Sequence, residues 1–227
     1  MRWRVWVLGG VVLWAARRWW RVASSVEPYR LRWKRRELRP GELTYAALGD
    51  SLAQGIGASD PERGYVGLLA ARLERETGRR VRVRNLSRSG VRVADVLRDQ
   101  VPELLALDPA PALVTVSVGT NDAGKVPAAE LRATFGELCA ALPAGTLVAD
   151  VPRFHRGRRA ARGRETAALL REVLAGHPHL VPVGLDEVTR HTGLDHRAAD
   201  LFHPNDRGHA RYAETFWRAG FSSSSRA

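Results

Sequence analysis

From Leu43 onward, short apolar runs alternate with longer stretches in which apolar residues recur at helical spacing. The runs Leu43–Leu48, Arg80–Asn85, Ala112–Val118, Thr146–Asp150 and Leu180–Val183 predict strands. The stretches Tyr65–Thr77, Arg92–Ala106, Ala128–Leu142, Arg158–Ala175 and Asp206–Arg218 predict helices. Ala112–Val118 is rich in β-branched residues and almost wholly apolar, as suits a central parallel strand covered on both faces. Strand–helix alternation at this spacing implies a parallel five-stranded sheet with helices on both sides, a three-layer α/β/α sandwich. In such sheets ligands gather beyond the carboxyl ends of the strands. Any chemistry is therefore expected in the segments that immediately follow the apolar runs.

Four segments qualify. The first run leads into Gly49-Asp50-Ser51-Leu52-Ala53-Gln54-Gly55, which sets a serine at the open edge of the sheet. Asp50 and Ser51 also suit a cap on the next turn, so catalysis and capping both stand at this point, with Asp50 read as shaping the turn. The second run ends at Asn85-Leu86-Ser87-Arg88-Ser89-Gly90, where Gly90 is either a loop glycine or an unobstructed backbone N–H. After the third comes Gly119-Thr120-Asn121-Asp122; here Asn121 either closes a turn or projects its NH2 toward the space that Ser51 faces. The last is Asp200-Leu201-Phe202-His203-Pro204-Asn205, before the final helix. Asp and His three apart can meet on one turn, the carboxylate orienting one imidazole nitrogen while the other faces a serine. Read alone, the pair is equally a helix cap or half a metal site, but no further cluster at ligand spacing supports a metal. His209, more than a turn farther on, reads as structural.

Taken together and in order, these segments resemble the SGNH (GDSL) hydrolase family, named for Ser, Gly, Asn and His in four blocks. The blocks here are Ser51 in Gly-Asp-Ser-Leu, Gly90, Asn121 in Gly-Thr-Asn-Asp, and His203 in Asp-Leu-Phe-His-Pro. The resemblance spans about Leu43 to Trp217. It implies a flavodoxin-like sheet and an esterase that forms an acyl-enzyme. Ser51 would be the nucleophile, His203 its base and Asp200 the residue that orients His203. The N–H groups of Ser51 and Gly90 and the Asn121 side chain would form the oxyanion hole. No cofactor or metal is implied. Acyl esters and lysophospholipids are among the substrates the family allows.

Charge and composition adjust this picture at the N-terminus. Residues 1–40 hold 11 Arg and Lys against two Glu, a net of +9, which leaves +3 of the chain's +12 for the remaining 187 residues. The basic character belongs to the extension, which argues against a nucleic-acid-binding fold. Residues 1–21 pair an apolar run, Val5 to Ala16, with flanking Arg and Trp. This run is short for a transmembrane helix and lacks an adjacent small-residue cleavage site. It reads as an uncleaved membrane anchor in contact with anionic lipid, with a cleaved signal peptide or a packed helix as alternatives. The side of the membrane is left open. Residues 22–41 read as a charged linker, 42–220 as the hydrolase domain and 221–227 as a serine-rich tail. A lone cysteine, Cys139, allows no internal disulfide and reads as buried packing. A monomer is the default. The rival reading is a catalytically silent, membrane-tethered domain that binds an acyl or glycan ligand, since fold alone does not establish activity.

Overall fold

A computed structural model of the 227-residue chain describes residues 17, 19–20, 22–154 and 157–221. The apolar run Val5 to Ala16 and the tail Ser222–Ser225 lie outside the described residues. Five strands, β1 (Leu43–Gly49), β2 (Val81–Asn85), β3 (Leu113–Ser117), β4 (Leu147–Ala149) and β5 (Val181–Val183), pair in the order β2-β1-β3-β4-β5. Every pairing is parallel. Strand side chains alternate between two cores. Ala46 and Leu48 of β1 pack with Val116, Phe135, Leu138 and Leu170 on one face. Tyr45 and Ala47 pack with Tyr65, Leu69, Tyr212 and Phe216 on the other. β3 is buried throughout, as its composition requires, while edge strand β2 alternates buried and half-buried positions.

The helices are α1 (Val26–Glu37), α2 (Ser51–Gln54), α3 (Tyr65–Thr77), α4 (Val93–Asp95), α5 (Val101–Leu105), α6 (Ala128–Ala141), α7 (Gly157–Ala175), α8 (Leu185–Thr189) and α9 (Asp206–Phe221). Cys139 is fully buried in α6. Two segments depart from the sequence pattern. The stretch expected as one helix over Arg92–Ala106 is broken by a π-helical turn, Val96–Gln100. The wider turn carries Gln100 into the interior, and Pro102 follows as the second residue of α5.

The second departure corrects the linker expected at residues 22–41. Residues 26–37 form helix α1, which is packed on the domain. Its charge hides a stripe: Val22, Val26, Tyr29 and Trp33 recur at steps of four, three and four, which is one face of a helix. Val22, Val26 and Tyr29 pack with Ile56, Ala198 and Ala199, and Trp33 is 3% exposed among the residues of the second core. Arg32, Lys34 and Arg35 point to solvent. Among the described residues no helix is long and apolar enough to cross a membrane.

Candidate active site

Strand β1 ends at Gly49, whose φ of +134° lies where side chains are rarely tolerated. A Cβ there would stand 2.0 Å from the carbonyl oxygen of Ser117 on β3, so only glycine fits. The Gln100 amide pairs with both backbone groups of Gly49: Oε1 accepts from its N–H at 2.8 Å and Nε2 donates to its carbonyl at 3.0 Å. The chain is thereby fixed one residue before Asp50. Asp50 caps α2 by accepting from the Leu52 N–H at 3.0 Å. Burial raises the Asp50 carboxyl to about 7, against the opposing pull of the Leu52 N–H. Ser51 opens α2 and is almost buried.

The Asp200–His203 segment folds back on itself before α9. The Ala198 N–H donates to the His203 carbonyl at 2.8 Å, and Arg197 bridges to Pro204 across the loop. Leu201 turns the corner with φ +59°. Asp200 Oδ1 accepts from the N–H groups of Phe202 and His203, both at 3.0 Å, and Oδ2 lies 2.6 Å from His203 Nδ1. Burial pushes the Asp200 carboxyl up, but these bonds from His203 and the backbone outweigh it and hold the group below the usual carboxylate range. An ionised carboxylate can only accept, so Nδ1 carries the imidazole proton and Nε2 is left to accept. That Nε2 lies 3.1 Å from Ser51 Oγ. The Phe202 ring stands edge-on to His203 at 4.9 Å and stacks on Phe154 at 5.5 Å, which limits the rotation of the imidazole.

The expected oxyanion donors sit on the neighbouring loops. Gly90 has φ +85°, and nothing stands within 4 Å of the place a Cβ would take. Ser89 just before it donates its N–H to Gln54 Oε1 at 3.0 Å. Asn121 turns its NH2 toward Val91 O, at 2.9 Å, and Asp50 Oδ2, at 3.4 Å. His209 lies outside this group of side chains. It is fully buried, its Nδ1 accepting from the Tyr65 N–H at 3.3 Å and its Nε2 donating to Ile56 O at 3.2 Å. Both ring nitrogens are satisfied by backbone, so the residue is structural.

Three further residues hold the site, and the motifs do not announce them. Gln54 and Gln100 brace the turn through backbone partners. Arg197, 8% exposed, donates to Phe202 O at 2.8 Å and to Arg153 O at 2.7 Å. A cavity of about 660 Å³ lies between α1 and the far side of the His203 loop, walled by Val22, Tyr29, Ala58, Arg197 and Ala198. Neither Ser51 nor His203 lines it, so it is not where an acyl carbonyl would meet the hydroxyl. Among the described residues no group of three or more His, Cys, Asp or Glu could hold a metal ion.

A parallel sheet with a serine hydroxyl, an imidazole and a carboxylate in hydrogen-bonded series at its carboxyl edge has the parts of a serine-type hydrolase. The chain belongs to the GDSL-like lipase/acylhydrolase family, whose model matches residues 47–211. It is a carboxylic ester hydrolase. No curated protein matches it. Among solved structures it is similar to LAE5, an alpha/beta hydrolase enzyme from the metagenome of Lake Arreo, Spain, at 24% identity and a TM-score of 0.65, over 80% of this chain and 96% of that one. The lipase/acylhydrolase from Enterococcus faecalis is 23% identical with a TM-score of 0.65, over 78% and 94% of the two chains. Axe2, an acetylxylan esterase from Geobacillus stearothermophilus, is 18% identical with a TM-score of 0.62, over 79% and 94%. These neighbours share its fold.

Proposed function

We propose that the chain hydrolyses carboxylic esters through an acyl-enzyme on Ser51. The observation that carries this reading is the series Ser51 Oγ, His203 Nε2, His203 Nδ1, Asp200 Oδ2, with contacts of 3.1 and 2.6 Å. As the Ser51 oxygen attacks the ester carbonyl, its proton passes to His203 Nε2, and the ionised Asp200 stabilises the imidazolium. The negative charge on the carbonyl oxygen is met by the N–H groups of Ser51 and Gly90 and by the Asn121 NH2. His203 then gives its proton to the departing alkoxide, and the acyl group stays on Ser51. Water, deprotonated by the same imidazole, attacks the acyl-enzyme and releases the carboxylic acid.

The substrate is a small-molecule or lipid ester met at an anionic membrane surface. Supporting this are the +9 charge of residues 1–40 and the exposed rings of Trp19 and Trp20, 63% and 69% accessible. Paired tryptophans beside arginines suit the headgroup region of a bilayer. Two solved neighbours are described as a lipase/acylhydrolase and an acetylxylan esterase, so both long-chain and acetyl esters belong in the test.

That test is hydrolysis of p-nitrophenyl esters from acetyl to palmitoyl by the full chain and by Ser51→Ala. Turnover should be abolished in the variant with its thermal unfolding unchanged. The chain-length optimum of the wild type assigns the acyl class. Near-normal turnover in Ser51→Ala would overturn the mechanism.

A further inference from the structure

Helix α1 lies outside the stretch matched by the family model, yet it is fastened to the segment that follows Ser51. Trp33 donates its indole N–H to the carbonyl of Gln54 at 3.0 Å, in a buried bond. Gln54 is the last residue of α2, so its carbonyl is one that the short helix leaves unmet. One turn earlier on the same face of α1, the Tyr29 hydroxyl donates to Ala58 O at 2.7 Å. Two rigid aromatic side chains thus hold both ends of residues 54–58. At the other end of α2 stand the Ser51 hydroxyl and the Ser51 N–H.

Gln54 reaches in a second direction. Its side-chain Oε1 accepts from the Ser89 N–H at 3.0 Å, and Ser89 immediately precedes Gly90. The Asn85 side chain adds a parallel tie, donating to Ala53 O at 2.8 Å. The bonded path therefore runs from α1 through Trp33 and Gln54 to Ser89, and covalently on to the Gly90 amide. Gln54 is 2% exposed and Trp33 3%, so neither bond exchanges freely with water.

We propose that α1 is a strap that sets the oxyanion hole, with Trp33 and Gln54 as its positioning residues. This rests on the esterase reading above, in which the N–H groups of Ser51 and Gly90 receive the oxyanion. The strap holds both donors at fixed spacing before substrate arrives, and such preorganisation counts in the transition state more than in the ground state. Neither residue touches the reacting atoms. Each acts through the backbone it holds.

The test uses the full chain and a water-soluble acetyl ester. Trp33→Phe keeps an aromatic ring in the core and removes the N–H together with part of the indole's volume. Gln54→Ala cuts the tie to Ser89. Each should lower kcat by about tenfold while KM stays within about twofold, the signature of a contact that matters only in the transition state. The double variant should fall no further than about twofold below the weaker single one, because both changes cut one path. The shape of the pH–rate profile should not change, since the Ser51–His203–Asp200 relay is untouched. Labelling of Ser51 by a phosphonate ester, which builds the same tetrahedral geometry, should slow in parallel. Wild-type kcat in the folded variants would overturn the strap, and so would a loss of activity that only tracks loss of folded protein. A wild-type chain that neither turns over ester nor takes label would overturn the esterase reading, and the strap with it.

Discussion

Asn121 has two amide hydrogens, and both are engaged, one by Val91 O at 2.9 Å and one by Asp50 Oδ2 at 3.4 Å. The second contact is long, so an oxyanion would draw that hydrogen away from Asp50 at little cost. In the proposed mechanism, removing the side chain would take from the transition state a donor that the bound substrate does not yet use. Asn121→Ala should lower kcat by about 10²-fold with a small change in KM. Steady-state kinetics on a water-soluble ester check this, and a rise in KM at constant kcat would instead make Asn121 a ground-state binding group. His209 belongs to stability. Burial lowers its pKa from 6.5 to about 4, opposed by the bond to Ile56 O. A lowered value means that the unfolded chain binds the proton first as pH falls. The stability His209 contributes is full above about 6.5 and is lost on the way down to about 4. His209→Gln should therefore destabilise the fold more at pH 7 than at pH 4.5, by about 2 kcal/mol in urea unfolding. An equal cost at both pH values would mean that His209 is not held neutral.

At the scale of elements, the strands and helices that carry the site were legible because burial imposes period. β3 is apolar throughout since both of its faces are covered, and α3 runs from Tyr65 to Thr77 as its pattern predicts. Ser51, Gly90 and Asn121 could be singled out because each follows a strand, where a parallel sheet collects its chemistry, and the Asp200–His203 pair because its spacing sets carboxylate and imidazole on one turn before the final helix. Gln54, Gln100 and Arg197 escaped that logic. Their partners are backbone atoms of Ser89, Gly49, Phe202 and Arg153, and a bond to backbone leaves no complementary residue to notice. Gln100 was further hidden by the π-helical turn, which moves it off the face that a regular helix would give it. Helix α1 was obscured differently. Its apolar stripe is present, but Arg and Lys crowd the intervening positions, and a tally of charge reads linker where periodicity reads one packed face. Long basic side chains suit such a helix, because their apolar stems can lie along the surface while the charged heads reach water.

For the whole molecule, this packing moves the boundary of the folded domain toward the N-terminus. A cut after residue 41 would remove Tyr29 and Trp33 from the turn after Ser51 along with the basic charge, whereas a cut after residue 21 leaves both aromatic contacts in place. The two truncations therefore separate the proposed membrane attachment from ester hydrolysis. Residues 1–21 contribute the apolar run and the tryptophans, while Arg30, Arg32, Lys34, Arg35, Arg36 and Arg39 stay on the longer fragment. The full chain should sediment with vesicles containing phosphatidylserine even at about 0.5 M salt, where exposed charges are largely screened and apolar insertion is not. Without residues 1–21 the protein should bind the same vesicles only at low salt, through the remaining arginines, and turn over a soluble acetyl ester at the wild-type rate. Without residues 1–41 it should lose vesicle binding at every salt concentration, unfold at lower temperature and hydrolyse ester about tenfold more slowly. If the shorter truncation still bound at high salt, attachment would lie on the folded domain. If the longer one kept full kcat, α1 would be a passenger on the enzyme, since the loss of Trp33 would not have reached the hydroxyl and amides it braces.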